Sequence, residues 1–296
     1  MSVGIDFDFA RWIVARRNSV EDQAREGAAY GFSGERKFRR TLAIARPVTM
    51  ALEATTRLWK DVARNELLGT AVKPTDPALV RVFEAAKAAG TALHVRVPAL
   101  YGLPADAPFK IQVLGTDDSP FLIVNLGVAD KLDDKALIAA IGHELGHVQN
   151  GHVLYATALH YLTHSAAFFV RWVIQPAIIT LQAWSRRAEV SCDRAGLLAV
   201  GDLDKALTSM VKLELGFEKG AAFDAEEYLR SLPDPKKGLG RYSELFRSHP
   251  NVSKRVQALR LFADSALFAQ VTGKDPAGKA TLADVDKQVA TLISVF

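Results

Sequence analysis

Residues 143–147 read His-Glu-Leu-Gly-His, and their types and spacing suit metal-assisted hydrolysis. Residues four apart lie on one face of an α-helix, so His143 and His147 can hold one Zn²⁺ through two imidazole nitrogens. Glu144 follows the first of these ligands, where its carboxylate can act as a general base toward water. The sequence therefore predicts two ligands and a base of a zinc peptidase. The alternative is a core helix that carries two hydrogen-bonded histidines.

The residues before this motif predict the helix that must carry it. Asp133 or Asp134 can cap the free N–H groups of the first turn. Apolar side chains then recur every fourth residue, at Leu137, Ile141 and Leu145. Gly142 and Gly146 each cost about 1 kcal/mol relative to Ala in a helix. Their positions beside the two histidines predict that another segment packs closely there.

A catalytic zinc needs a third protein ligand, and Glu189 is the best candidate. Asp193 lies one helical turn further along the same face, where it can accept the second N–H of a ligating imidazole. The alternative is that both acids form ordinary ion pairs with neighbouring arginines. The residues alone leave both interpretations open.

Three motifs in order resemble the gluzincin family that includes the HtpX-like heat-shock proteases and the type I CAAX prenyl proteases. They are the stretch from His143 to His152, then Glu189-x-x-x-Asp193-x-x-Gly196, then Ser248-His249-Pro250 with Arg255 and Leu259. The resemblance covers roughly residues 40 to 262. It implies an α+β fold that is mainly α-helical, a zincin-type peptidase domain with a small β-sheet over the active-site cleft.

The resemblance also implies roles for single residues. His143, His147 and Glu189 would bind zinc, and Glu144 would be the general base. Asp193 would orient a ligating imidazole, and His249 would point into the cleft and stabilise the oxyanion. One departure concerns the strand at the cleft edge, where many members carry an Asn-Ala pair. The corresponding stretch is taken as Asp106 to Lys110, which has no such pair.

The segment 153–184 is apolar, and Arg171 is its one formal charge. A single membrane crossing would put Glu189 and His147 on opposite sides of a bilayer, and a return crossing needs about 40 residues. The segment therefore predicts an apolar helical hairpin with its turn near Gln175 and Pro176. It would pack in the core or form a surface for a membrane, a partner protein or a second copy.

Other residues with metal-binding or thiol chemistry carry weaker signals. His160 and His164 are spaced for a second metal site, but ordinary helix histidines explain them as well. His152 is interpreted as structural. Cys192 is the only cysteine, so no internal disulfide can form, which fits a reducing compartment. The sequence predicts a cytoplasmic protein, with attachment to the inner membrane surface as the alternative.

The chain is predicted to contain a lead-in over residues 1–30, a zinc metallopeptidase domain over 31–270 and a C-terminal helical extension over 271–296. A helix is expected from Asp76 and Pro77 to Ala89 and Gly90. Strands are expected at 93–97, 110–114 and 121–126, the last two as a hairpin. A free edge of this sheet would let a peptide add as an extra strand across the zinc.

Charge and composition indicate which kinds of molecule the protein binds. The net charge is +4, and the densest basic stretch, Arg36 to Arg40, is typical of a solvated helix face. Without interleaved aromatic residues beyond Phe38, it does not predict nucleic-acid binding. The sequence therefore predicts a zinc-dependent metalloendopeptidase that acts on protein or peptide substrates. The alternative is a latent zinc protein, gated by a partner or a membrane, with chaperone-like binding and little cleavage of its own.

Overall fold

The computed structural model describes residues 28–42, 46–58, 77–107, 110–164, 168–215, 227, 230 and 248–294. Most of this part of the chain is helical, with a small sheet. The helices are α1 (Ser33–Leu42), α2 (Arg46–Leu58), α3 (Pro77–Leu93), α4 (Leu126–Ala129), α5 (Asp134–Gln149), α6 (Val153–His164), α7 (Phe168–Val200), α8 (Leu203–Leu215), α9 (Val252–Ala263), α10 (Ala266–Val271) and α11 (Leu282–Ile293). The strands are β1 (Ala99–Leu103), β2 (Ile111–Thr116) and β3 (Ser119–Asn125). This is the α+β, mainly helical fold that the sequence predicts.

The sheet has the strand order β1-β3-β2, so β2 lies at an edge. β2 and β3 form an antiparallel hairpin in which Ile111 pairs with Val124 and Thr116 with Ser119. This confirms the predicted hairpin, with a tighter turn than the loop expected over residues 115–120. β1 pairs with β3 in parallel, so the chain must cross over between them.

The third predicted strand, over residues 93–97, was placed too early. Leu93 is the last residue of α3, and His94 takes a positive φ of 53° as the helix ends. Regular pairing begins only at Ala99. Gly90 lies inside the helix, where a Cβ would come within 2.8 Å of Val97 Cγ2, so this glycine permits a close contact and does not end the helix. Tertiary packing thus overrides the local helix-stop signal.

The segment 153–184 does form two packed helices, but its predicted turn is wrong. α6 ends at His164 and α7 begins at Phe168, and Pro176 lies inside α7. Residues 165–167 lie outside the described part of the chain. The hairpin packs against α1 and α2 around a second apolar cluster that includes Leu42, Val48, Leu159, Leu181 and Trp184. Its described residues therefore favour the core alternative. None of the described helices combines the length and the apolar character that a membrane crossing requires.

The main core lies on the other side of α5 and α7, and it includes the C-terminal helix. Val285, Val289 and Ile293 of α11 are buried in this core. Asp286 accepts a hydrogen bond of 2.7 Å from the buried Arg194 of α7. The predicted extension over residues 271–296 thus packs into the body of the domain. The domain boundaries themselves stay a prediction, and residues 1–27 lie outside the described part.

Candidate active site

Helix α5 positions the histidines and the glutamate of the motif. Asp133 caps it by accepting a hydrogen bond of 2.9 Å from Ala136 N, as the sequence predicts. The ring centroids of His143 and His147 lie 5.3 Å apart on one face of the helix. Both rings therefore reach the same cleft, and the helix geometry expected from their spacing is present.

Helix α7 brings Glu189 to the same point. His143 Nε2 lies 3.4 Å from Glu189 Oε2, and His147 Nε2 lies 3.7 Å from Glu189 Oε1. Ligand atoms about 2.0–2.1 Å from a tetrahedral metal lie roughly 3.4 Å from one another. Each imidazole nitrogen thus lies at about this distance from one oxygen of the same carboxylate.

Two glycines let α5 and α7 approach closely enough for this spacing. A Cβ on Gly146 would lie 2.7 Å from Ala195 Cβ, and one on Gly142 would clash with Ala199. Both alanines belong to α7. The close packing that the sequence predicted beside the histidines is therefore the contact that joins the two halves of the site.

Cys192 offers a second grouping of metal-binding atoms, together with His143 and His147. Its thiol is buried, does not line the cleft, and lies 3.7 Å from His152 Nδ1. Burial, followed by the nearby carboxylate of Glu189, raises the pKa of this thiol well above its usual value. A neutral thiol behind the cleft is a poorer ligand than Glu189, whose carboxylate faces the cleft.

Asp193 lies where the sequence places it, against the far nitrogen of a histidine. Its Oδ1 lies 3.0 Å from His143 Nδ1, with the tautomer set by this contact. Burial lowers the pKa of His143, but Glu189 and Asp193 outweigh that effect and raise it to about 10. Each ring nitrogen of His143 therefore faces a carboxylate, Nε2 that of Glu189 and Nδ1 that of Asp193.

Arg255 is a site residue to which the sequence assigned no role. Its Nε and Nη2 donate to the two oxygens of Asp193 at 2.9 and 2.6 Å, and Nη2 lies 3.1 Å from Glu189 Oε2. Burial would raise the pKa of Asp193, but Arg255 outweighs it and holds that pKa below its usual value. Its place in the third motif was the one feature of the sequence that pointed to Arg255. Spacing alone could not show that it contacts Asp193.

Glu144 contacts the edge of the sheet. Its Oε2 accepts a hydrogen bond of 2.7 Å from Val113 N in β2. Burial raises the pKa of this carboxyl to about 7, although His143 and the Val113 hydrogen bond act in the opposite direction. The strand at the cleft edge is therefore Ile111–Thr116, and the stretch from Asp106 to Lys110, where the Asn-Ala pair was sought, precedes it.

His249 reaches the site from the segment before α9. Its Nε2 lies 3.5 Å from Glu189 Oε1, and its Nδ1 lies 2.9 Å from Ser248 Oγ. The side chain keeps 48% of its surface exposed, so it lies at the open side of the cleft. All six predicted site residues thus come together, although they derive from three separate parts of the chain.

These residues line a cleft of about 750 Å³. It extends from α8, past Glu144 and β2, to α6 and α7. His160 also lines it, whereas the side chain of His164 lies outside the described part of the chain. Within the described residues, both groupings that could hold a metal include His143. They therefore give no support to a second metal site at His160.

Three known proteins share moderate similarity with the chain. The plastoglobule-localized metallopeptidase 48 of Arabidopsis thaliana is 27% identical over 154 residues, 51% of this chain and 45% of that protein. A protease HtpX homolog of Kineococcus radiotolerans is 25% identical over 206 residues, 58% of this chain and 70% of that protein. Another from Bacillus licheniformis is 25% identical over 165 residues, 46% of this chain and 54% of that protein.

The chain thus spans about half the length of two of these relatives. No solved structure matches it. A comparison with protein families matches residues 113–263 to peptidase family M48. The matched range includes Val113, the motif on α5, Glu189 and Arg255, and so nearly all of the geometry described above. The chain belongs to peptidase family M48.

Proposed function

We propose that this chain is a zinc-dependent endopeptidase of the gluzincin type. The observation that carries the proposal is the approach of His143 Nε2 and His147 Nε2 to the carboxylate of Glu189, at 3.4 and 3.7 Å, beside Glu144. Two imidazoles and one carboxylate are a common ligand set of catalytic zinc, which keeps one position open. His143, His147 and Glu189 would hold the ion.

A bound zinc ion would supply Lewis-acid chemistry, which polarises a carbonyl and makes water more acidic. Glu144 would take the proton of the attacking water and pass it to the leaving amine. Its raised pKa of about 7 suits a group that first accepts and then donates a proton near neutral pH. Asp193, held by Arg255, would fix the tautomer of His143.

His249 would stabilise the negative charge that develops on the substrate oxygen. Its exposed ring lies at the open side of the cleft, 3.5 Å from Glu189. An imidazole N–H placed there can donate a hydrogen bond to an oxygen at the reacting carbonyl. Ser248, 2.9 Å from the other ring nitrogen, would orient the ring.

The length of the cleft supports internal cleavage. The base, Glu144, contacts the middle of β2 at Val113, whereas α8 contacts Lys110 just before this strand and α6 contacts Gly115 near its other end. A peptide therefore has room on both sides of the scissile bond, as an endopeptidase requires. The cytoplasmic location and a membrane or protein partner for segment 153–184 remain predictions. Among the described residues of this segment, Leu159, Leu181 and Trp184 pack inward and so do not contribute to such a surface.

The test is the metal content of the purified protein beside Glu189→Ala, together with casein cleavage with and without a chelator. We expect about one zinc ion per chain, weakened binding in the variant, and cleavage that the chelator abolishes. Full zinc occupancy without cleavage would favour the latent, partner-gated protein. A protein that takes up no zinc would contradict the proposal.

A further inference from the structure

The edge of the sheet beside Glu144 is open over only part of its length. In β2, Val113 N and Gly115 N both point away from β3. Val113 N donates to Glu144, and Gly115 N donates to Thr157 Oγ1 at 2.9 Å. Because Thr157 belongs to α6 and is fully buried, this helix takes the place of an added strand beyond Val113.

Helix α6 is fixed in this place by the tip of the hairpin. Val153 N, at the start of the helix, donates a hydrogen bond of 3.0 Å to Asp117 Oδ1 in the β2–β3 turn. One turn later Thr157 accepts from Gly115, whose φ of 121° strongly favours glycine. Two contacts thus hold α6 against the distal end of β2. A substrate strand cannot continue along β2 past Val113 unless this helix moves.

The cleft is nevertheless also lined by α6, which contacts β2 at Gly115, and by α7. This part of the cleft, the α6–α7 arm, is lined by Ala156, Leu159, His160 and Thr163 of α6 and by Gln182 and Ser185 of α7. On α6 these positions have the spacing i, i+3, i+4 and i+7 of a single helix face. On α7, Gln182 and Ser185 precede Glu189 by seven and four residues, so they lie on the face that carries the proposed ligand.

The direction of a bound peptide follows from strand pairing. Antiparallel pairing is slightly more stable per residue than parallel pairing, so a peptide added at β2 would run opposite to it. Its residues before the scissile bond would then lie toward Gly115, on the side that α6 occupies. Its residues after the scissile bond would lie toward Lys110, whose Nζ donates to Leu213 O of α8.

We propose that a substrate pairs with β2 only as far as Val113, and that its residues before the scissile bond turn into the α6–α7 arm. This inference rests on the proposed function and names the binding site for one half of the substrate. Serine, glutamine and histidine side chains in the arm can bond a peptide backbone, whereas the Thr163 hydroxyl donates to Leu159 O within α6. Since none of its six lining residues is an acid, a lysine or an arginine, the arm suits uncharged substrate residues.

The test uses fluorogenic peptides that share one cleavable core and carry one to five uncharged residues before the scissile bond. With the zinc-loaded protein, we expect kcat/KM to rise about tenfold as these residues fill the arm. Thr163→Trp, which fills the arm, should abolish this gain, and the loss relative to wild type should grow with each residue added before the scissile bond. Thr163→Val, the matched control, should keep the gain, because it is close in size to threonine.

A binding measurement separates the arm from catalysis. In the Glu144→Gln background, the anisotropy of the labelled longest peptide should show a Kd about tenfold weaker when Thr163→Trp is added. The arm is not a subsite if kcat/KM still rises with peptide length in Thr163→Trp. The same holds if this variant lowers kcat/KM equally for short and long peptides. A wild-type protein that binds zinc and cleaves none of the peptides would contradict the proposed endopeptidase function itself.

Discussion

Arg255 and Asp193 form a two-pronged ion pair, with Nε–Oδ2 and Nη2–Oδ1 distances of 2.9 and 2.6 Å. Asp193 in turn contacts His143 Nδ1 at 3.0 Å. The guanidinium thus acts on the proposed metal site through one intermediate carboxylate. Burial lowers the pKa of Arg255, but Asp193 and Glu189 outweigh it and raise that pKa, so the charge is permanent.

The first prediction concerns this ion pair. Arg255→Lys keeps the charge but loses the planar fork that matches both carboxylate oxygens. We expect zinc affinity to fall about 10- to 100-fold, because His143 loses its fixed orientation. Competition with a chromogenic chelator measures the affinity. Arg260→Lys, on the same helix α9, is the control, and an unchanged affinity in Arg255→Lys would contradict the role of Arg255.

The second prediction separates the base from the ligands. Glu144→Gln should keep its hydrogen bond from Val113 N, because an amide oxygen also accepts, and should therefore retain zinc. Without a base, kcat/KM should fall about 10²- to 10⁴-fold. Glu214→Gln, at the exposed rim of the same cleft, should leave cleavage nearly unchanged. Undiminished cleavage by a zinc-loaded Glu144→Gln protein would remove Glu144 from the mechanism.

The third prediction concerns the contact between α5 and α7. Helix propensity alone would make Gly146→Ala stabilising by about 1 kcal/mol. The new Cβ would instead lie 2.7 Å from Ala195 Cβ, so we expect the free energy of unfolding to fall by about 1–3 kcal/mol. Urea denaturation gives this value. Adding Ala195→Gly should recover part of the loss, and simple additivity of the two changes would argue against a direct clash.

The fourth prediction concerns acid stability through the buried Glu35. Its Oε1 accepts from Trp184 Nε1 at 3.1 Å and lies 3.4 Å from His152 Nε2. Burial would raise the pKa of Glu35, but His152 and Arg39 outweigh it and hold that pKa below the usual 4.5. Because the folded-state pKa is the lower one, the ionised carboxylate stabilises the fold above about pH 4.5. That stabilisation is lost as the pH falls through the folded-state pKa.

At pH 7, Glu35→Gln should therefore have a free energy of unfolding about 1–3 kcal/mol lower than wild type, as measured by urea denaturation. The difference should shrink as both proteins are brought to about pH 3. Glu53→Gln, on the exposed surface of α2, is the control and should follow wild type throughout. If the free energies of unfolding of wild type and Glu35→Gln differ by the same amount at every pH, the charge of Glu35 does not contribute to stability.

The helix that carries the motif could be predicted because its signals are local. The cap at Asp133, the apolar stripe and the flanking glycines all lie within one stretch of sequence, and they agree. Ligand chemistry and helix spacing made Glu189 and Asp193 candidates but left ordinary ion pairs open, and His249 came from the resemblance in motif order alone. Their convergence at 3.0 to 3.5 Å from one another or from His143 depends on tertiary packing that spacing does not encode.

Other features could not be predicted from the sequence, because they too depend on tertiary packing. Pro176 suggested a turn, but α7 continues through it while Ala177, Ile178 and Leu181 pack against the N-terminal helices. Burial of these side chains favours helix beyond the proline, against its local cost. Likewise the bonds from Val113 to Glu144 and from Gly115 to Thr157 join a strand to two helices. Neither strand residue has a side chain that signals such a bond.

The buried bond between Arg194 and Asp286 has a consequence for synthesis of the protein. In a growing chain His143 and His147 emerge before Glu189, Glu189 before Arg255, and Arg255 before Asp286. Arg194, five residues after Glu189, meets its buried counter-charge only when α11 has docked. The part of α7 around Glu189 is therefore fully supported only after α11 has been synthesised.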